Sequence, residues 1–254
     1  SPVGQTFMFW FYHALNLHLT ADDPQLVLEV NKVKKIFANT VGNSEARAIH
    51  LKNKFVEENA SLVFSQESDF TFSQEMTKDG LFHPVNLQNP TDGTFIFLRS
   101  DIWESDYEMF FLEDYEAFYK GRLNVILATL KGSGEKYLLA SCHGNSTNPA
   151  DGRYQISLIK EKYSELIAKS ENSGLQLLIG IDANSKSEKD VEDLRSHLKN
   201  LGLVATKSMG PTTVKKRMLT VQHSKAGTFA VDEEDFLITL RPEIGGRFVF
   251  SQQT

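Results

Sequence analysis

The feature that most constrains this chain is a recurring one: an apolar, strand-like run ends abruptly in a short polar cluster. It occurs at Leu15-Asn16, at Gln66-Glu67, at Cys142-His143-Gly144-Asn145 and at Ile181-Asp182-Ala183-Asn184. A buried strand needs apolar side chains along its length and releases polar ones only where it leaves the core. Several strands that end alike therefore predict a sheet with chemistry at the ends of its strands, where the backbone is rigid and side chains stay accessible.

Between these runs the hydrophobic spacing switches between strand and helix periods. Residues 7–17 are rich in aromatics and read as a strand ending before Thr20-Ala21-Asp22-Asp23-Pro24. Over residues 43–59, Ala46, Ile49, Phe55 and Val56 recur at helical spacing, with Ser44 as N-cap, and 61–67 follows as a buried strand. Residues 93–99, 123–128 and 137–142 are further strands, the last two joined by the hairpin-type loop Lys131-Gly132-Ser133-Gly134-Glu135. Amphipathic helices are expected at 153–168 and 190–201, on either side of an apolar strand at 175–181. The tail offers strands at 217–222, 235–240 and 247–251. No repeat or long linker interrupts this order, so residues 1–254 read as one domain. The expected fold is α/β: a four-layer α/β sandwich, with two mainly antiparallel β-sheets packed face to face and flanked by helices.

Composition narrows the function classes. With 41% hydrophobic and 24% charged residues the chain can bury a sizeable core. Its 27 basic residues against 33 acidic ones give a net charge of −6, so no global basic field draws it to nucleic acid or membrane. An anionic ligand has to be held locally. A single cysteine, Cys142, excludes an internal disulfide framework and a Cys-rich zinc site. No apolar run reaches the roughly 18 residues of a membrane span, and the opening Thr6-Phe7-Met8-Phe9-Trp10-Phe11-Tyr12 reads as a strand rather than a signal peptide. The chain is expected to be soluble, and its compartment and oligomeric state are not fixed by these features. The histidines lack zincin spacing, and there is no Walker loop, dinucleotide fingerprint or serine nucleophile elbow.

The clusters themselves suit phosphoryl chemistry. Glu67 follows a buried run, where its carboxylate is either desolvated until it meets a hard cation such as Mg²⁺ or simply an exposed turn residue. Asp182 and Asn184 are two apart, which in extended geometry puts both on one face: the acid can orient water while the amide donates to a phosphoryl oxygen. The alternative is an Asx turn closing the strand. Gly180, just before them, leaves room for a close backbone or substrate. His143, ahead of the donor-rich Gly144-Asn145-Ser146-Thr147, is either structural or a donor to a charged phosphate. Pro211-Thr212-Thr213-Val214-Lys215-Lys216-Arg217 is the densest basic patch, either a phosphate contact or a lysine-protected edge strand.

Taken in order, the clusters resemble the endonuclease/exonuclease/phosphatase superfamily over nearly the whole chain. Leu62-Val63-Phe64-Ser65-Gln66-Glu67 is similar to the family's strand ending in Gln-Glu, and Gly180-Ile181-Asp182-Ala183-Asn184 to its Gly-Asp-x-Asn motif with one residue inserted after the glycine. The resemblance implies a phosphoesterase dependent on Mg²⁺ or Mn²⁺, with a nuclease or phosphodiesterase slightly favoured over a phosphomonoesterase. Its substrate would be a phosphate ester: a nucleic acid, nucleotide or phosphoinositide. Glu67 would be the metal carboxylate, Asp182 the residue that orients or deprotonates water, and Asn184 a phosphate contact. His143, in Ser141-Cys142-His143, would hydrogen-bond the phosphoryl group, and Asp235, in Asp235-Phe236-Leu237-Ile238, matches the Asp that orients a terminal histidine. Asn16, Asn145, Thr213, Lys215 and Arg217 would contact substrate. The family's closing Ser-Asp-His has no counterpart after Asp235, so either the segment stops short of it or the site is altered. A catalytically inactive member acting as a binding module is the alternative function.

Overall fold

The computed structural model describes residue 32, residues 44–85, 93–112, 122–145, 147–185, 187–205 and 235–240, and the backbone of 213–216 and 229–232. The strands expected at 7–17, 217–222 and 247–251 lie outside the described residues, as do Asn16 and Arg217.

Four layers stack. Helices α1 (Ser44–Glu57) and α2 (Phe70–Thr77) cover one face of an antiparallel three-stranded sheet ordered β1 (Leu62–Ser65), β3 (Phe95–Arg99), β2 (Phe82–Val85). Central strand β3 is buried on both faces, which is why Phe95-Ile96-Phe97-Leu98 is apolar without alternation. Phe95 and Phe97 join Val63, Phe72, Met76 and Phe82 beneath the helices, whereas Ile96 and Leu98 face the second sheet.

That sheet has six strands, ordered β4 (Glu108–Phe110), β5 (Leu123–Thr129), β6 (Lys136–His143), β7 (Gln176–Asp182), β11 (Asp235–Thr239) and β8 (Val204–Ala205). Its pairings are antiparallel except β6 with β7. A parallel pair needs a long crossover, and helix α3 (Ala150–Ile167) supplies it. Alternation splits the residues of this sheet between two cores. Ile126, Leu139, Leu178 and Leu237 meet Ile96 and Leu98 between the sheets, while Val125, Ala140, Cys142, Ile179 and Ile181 pack on the other face with Ile156, Ile159, Leu194 and Leu198 of α3 and α4 (Glu188–Asn200). A separate two-stranded ribbon pairs β9 (Thr213–Lys216) with β10 (Phe229–Asp232). Among the described residues, no helix is long and apolar enough to cross a membrane.

The sandwich is the one expected, with differences of detail. Ser44 is the first residue of α1 rather than its cap, and α3 starts at Ala150, ahead of the expected 153. Helix α2 and the short strands β2 and β4 break no periodic pattern long enough to be read. Gly180 gives room to neither backbone nor substrate: a Cβ placed there would lie 2.4 Å from Cγ of Phe64, so the space belongs to the opposing sheet. Gly180→Ala is therefore expected to lower stability by about 1–3 kcal/mol in urea unfolding, the range for overpacking a filled core. Shrinking the opposing ring in Gly180→Ala/Phe64→Leu should return part of the loss, and strictly additive losses would contradict the contact.

Candidate active site

Strand register builds the site. On β6 and β7 His143 stands beside Asp182, and on β7 and β11 Asp182 stands beside Asp235. Residues paired in register share a face. One row further in, Gly180 meets Phe64 and Leu237 lies in the core between the sheets, so this inner face carries the row His143, Asp182, Asp235 at its end.

The other sheet delivers the fourth group. At the end of β1 the chain turns, and Glu67 brings Oε1 to 3.5 Å from Nε2 of His143, while Oδ2 of Asp182 lies 3.9 Å from the same nitrogen. The turn is held from several sides. The Ser68 amide donates to Gly93 O at 3.0 Å, the Ser65 and Ser68 hydroxyls hydrogen-bond each other, and Asp69 caps α2 by accepting from the Phe72 amide at 2.8 Å. Glu67 itself has φ +53°, a left-handed conformation uncommon outside glycine, asparagine and aspartate. Such strain persists only where the surroundings enforce it. Of the two readings of Glu67, the structure has the exposed turn residue and not the desolvated carboxylate: its side chain is 73% exposed, because it lies past the end of the strand.

His143 is the buried member, with its side chain 4% exposed, against 19% for Asp182. Beneath it the core between the sheets turns polar. Gln66 Nε2 donates to Ser141 Oγ at 2.9 Å and to Gly180 O at 3.4 Å, and Asn124 Nδ2 donates to Thr94 O. In the sequence Gln66 and Ser141 stand inside the motifs that carry Glu67 and His143, whereas Thr94 and Asn124 show only as polar interruptions of apolar runs. Cys142 points the opposite way and is fully buried. Burial, seconded by the charge of Asp151, pushes its thiol well above the usual range, so it is a packing residue.

Asp182 and Asn184 do not share a face through extended geometry. Asn184 has φ +50°, and its amide N–H donates to Oδ1 of Asp182 at 2.8 Å, an Asx turn that ends the strand. The buried Asn184 side chain in turn donates from Nδ2 to Gly144 O at 2.8 Å, clasping the ends of β6 and β7 together. Asn145, two residues past His143, uses its Oδ1 to accept from Thr147 N at 2.9 Å and Thr147 Oγ1 at 2.8 Å. Thr213 and Lys215 lie on β9, opposite Asp232 and Ala230, so residues 213–216 of the basic patch form a strand. Glu67, His143, Asp182, Asn184, Asp235 and Asn145 are thus brought to one end of the sandwich.

The donor set also bears on a metal. Among the described residues no group of three or more His, Cys, Asp or Glu forms a cage. An exposed Glu67 carboxylate, with Asp182 across His143 from it, suits a hard cation that takes one or two carboxylates and keeps most of its waters; it does not suit zinc. The residues present fit Mg²⁺ or Mn²⁺.

No protein-family model matches this sequence, and no curated protein sequence matches it. Solved structures do match. An endonuclease/exonuclease/phosphatase protein from Bacteroides vulgatus aligns with a TM-score of 0.60 at 14% identity, over 80% of this chain and 82% of that one. D. rerio TDP2, solved in complex with a single-strand DNA product, gives 0.55 at 14% identity over 79% of each chain. A mannosyl-6-phosphatase of Bacteroides thetaiotaomicron gives 0.56 at 13% identity over 77% of each. At these identities the likeness is one of fold.

Proposed function

On the endonuclease/exonuclease/phosphatase fold that this chain has, we propose a Mg²⁺- or Mn²⁺-dependent phosphoesterase that hydrolyses a phosphodiester or phosphomonoester by attack of water. The observation that carries this reading is the convergence of Glu67 from one sheet on the row His143, Asp182, Asp235 of the other. The fold neighbours include one bound to a DNA product and one named as a sugar phosphatase, which supports phosphate esters as the substrate class.

Asp182 is fixed by the Asn184 amide at Oδ1 and presents Oδ2 toward His143, so Oδ2 is the oxygen we assign to take the proton of the attacking water. The water oxygen bonds to phosphorus as the bond to the leaving oxygen breaks. His143 Nε2 then serves as a donor to a non-bridging phosphoryl oxygen. Asn184 has one amide hydrogen committed to Gly144 O and keeps a second for the phosphate. Asp235, in register with Asp182, lines the same end of the sheet, and Asn16, Asn145, Thr213, Lys215 and Arg217 remain the candidate substrate contacts. Glu67 would hold the cation, which when bound neutralises charge on the phosphoryl oxygens.

The test begins with metal. Titration calorimetry with Mg²⁺ or Mn²⁺ alone is expected to show binding that is lost in Glu67→Ala and kept in Glu57→Ala, an exposed residue at the end of α1. Unchanged affinity in the Glu67 variant contradicts the assignment. A hydrolysis screen on DNA, RNA, nucleotides and phosphoinositides with either ion completes it. Silence across that screen, with metal still bound, favours the binding-module alternative.

A further inference from the structure

The stripe along which α3 packs on the six-stranded sheet is apolar at Ile156, Ile159, Tyr163 and Leu166 and turns polar toward the site, at Asp151 and Gln155. These two are one helical turn apart and face the same way. Both are buried: Asp151 is 5% exposed and Gln155 is 0% exposed. Removing a carboxylate from water is costly, so its placement calls for a reason.

Capping its own helix is not that reason. The N-cap position of α3 is Pro149, with no side-chain cap bond, and the Ala150 amide is met by Asn148 Oδ1 at 3.2 Å. Asp151 reaches across instead. Its Oδ2 accepts from the Asn145 amide at 3.0 Å and from Gln155 Nε2 at 3.1 Å, and the same Nε2 donates to His143 O at 2.9 Å. The two side chains therefore grip the backbone of His143 and of Asn145, with Gly144 between them. Gly144 has little freedom of its own, since its N–H donates to Asp182 O at 2.7 Å and a Cβ there would lie 3.1 Å from Ala183 O. Its carbonyl is the acceptor for Asn184 Nδ2, and the Asn184 amide fixes Oδ1 of Asp182. One hydrogen-bonded path thus runs from α3 through residues 143–145 to both Asn184 and Asp182.

We propose that Asp151 and Gln155 are positioning residues: they set the backbone from which His143 projects and, through Gly144 and Asn184, the orientation of the Asp182 carboxylate. The proposal rests on the phosphoesterase reading for its catalytic consequence, while its geometric content stands apart from it. Groups that hold reacting groups in place typically govern rate more than affinity, because small misplacements of reacting groups are felt mainly in the transition state.

The experiment uses Gln155→Met, which keeps length and burial but deletes the donor, and Asp151→Leu, with Asp151→Asn as the conservative variant that retains an acceptor oxygen. Ile156→Ala, on the same helix but outside the path, is the control for lost packing. With the best ester from the screen and saturating Mg²⁺, Gln155→Met and Asp151→Leu should lower kcat about 10- to 100-fold with KM within about threefold, while Asp151→Asn recovers most of the rate. Ile156→Ala should lose stability with kcat nearly unchanged. In the same proteins, without substrate, amide hydrogen exchange at Asn145 should accelerate and the amide resonances of His143 and Asn184 should shift in Gln155→Met and Asp151→Leu. Wild-type kcat in those two variants overturns the proposal, as does a loss that Ile156→Ala reproduces. If the wild-type protein hydrolyses none of the esters, the functional reading fails by itself. The amide data then decide the positioning: unmoved His143 and Asn184 signals overturn it, and a shift confined to the path upholds it. Should Asp151→Leu not fold, Gln155→Met and Asp151→Asn carry both readouts.

Discussion

Asp182→Asn is expected to lower the rate of hydrolysis on the order of 10²–10⁴-fold, the usual contribution of a positioned acid or base, with the fold intact. The geometry makes this substitution unusually clean. Oδ1 of Asp182 accepts from the Asn184 amide, and an asparagine keeps a carbonyl oxygen for that bond, so the turn at the end of β7 survives. What changes is the atom facing His143, where an oxygen able to take a proton becomes an amide nitrogen that cannot. Substrate affinity should hold or rise, since a negative charge is removed from beside an anionic ester. Steady-state kinetics on the best substrate, paired with binding of that substrate to the variant, checks both halves. A variant turning over near the wild-type rate would remove Asp182 from the role of base.

Gly93→Ala is expected to cost roughly 3–5 kcal/mol or to prevent folding, at the upper end of single-residue effects. Two causes add. Gly93 has φ +58°, and an L-residue there is strained by about 1–2 kcal/mol. A Cβ would also fall 1.9 Å from the carbonyl oxygen of Ser68, and backbone has no rotamer by which to escape. Gly80 separates the two causes. Its φ is +72° and nothing lies within 4 Å of a Cβ, so Gly80→Ala should show the strain alone. Since the Ser68 amide bonds to Gly93 O, the clash displaces the turn that carries Glu67. Folded Gly93→Ala protein should accordingly lose Mg²⁺ affinity while Gly80→Ala retains it, measured by urea unfolding and calorimetry. Equal costs for the two alanines would show that the Ser68 contact yields.

How much of this could be read beforehand depended on whether one interaction or several set the outcome. The strands at Leu62–Ser65, Phe95–Arg99, Leu123–Thr129, Lys136–His143 and Gln176–Asp182 were legible because an apolar run of that length has few other uses. The meeting of His143 with Asp182 was legible for a related reason, as each ends its run. Helix α2 was not, since its stability comes from the Asp69 cap and from Phe72 and Met76 under β3, contacts absent from any local window. The same limit applied at Asn184, where an Asx turn and an extended pair carry identical residues and only φ distinguishes them. Gly180 looked like room for a close backbone or substrate because the chain alone does not show Phe64 arriving from the opposite sheet. Asp151 and Gln155 escaped notice because polar residues on a helix normally face water, and the helix was expected to begin after Asp151.

The division of the site between two sheets has a consequence for how the protein matures. Glu67 belongs to the three-stranded sheet and the row of His143, Asp182 and Asp235 to the six-stranded one, so neither sheet alone holds the constellation. On the proposed phosphoesterase reading, hydrolysis would therefore begin only when the two halves have docked, and a partly assembled chain would be inert toward esters around it. A cation that engages both halves would act as a latch, favouring the docked state by RT ln(1 + [L]/Kd) and coupling the onset of reactivity to the completion of folding.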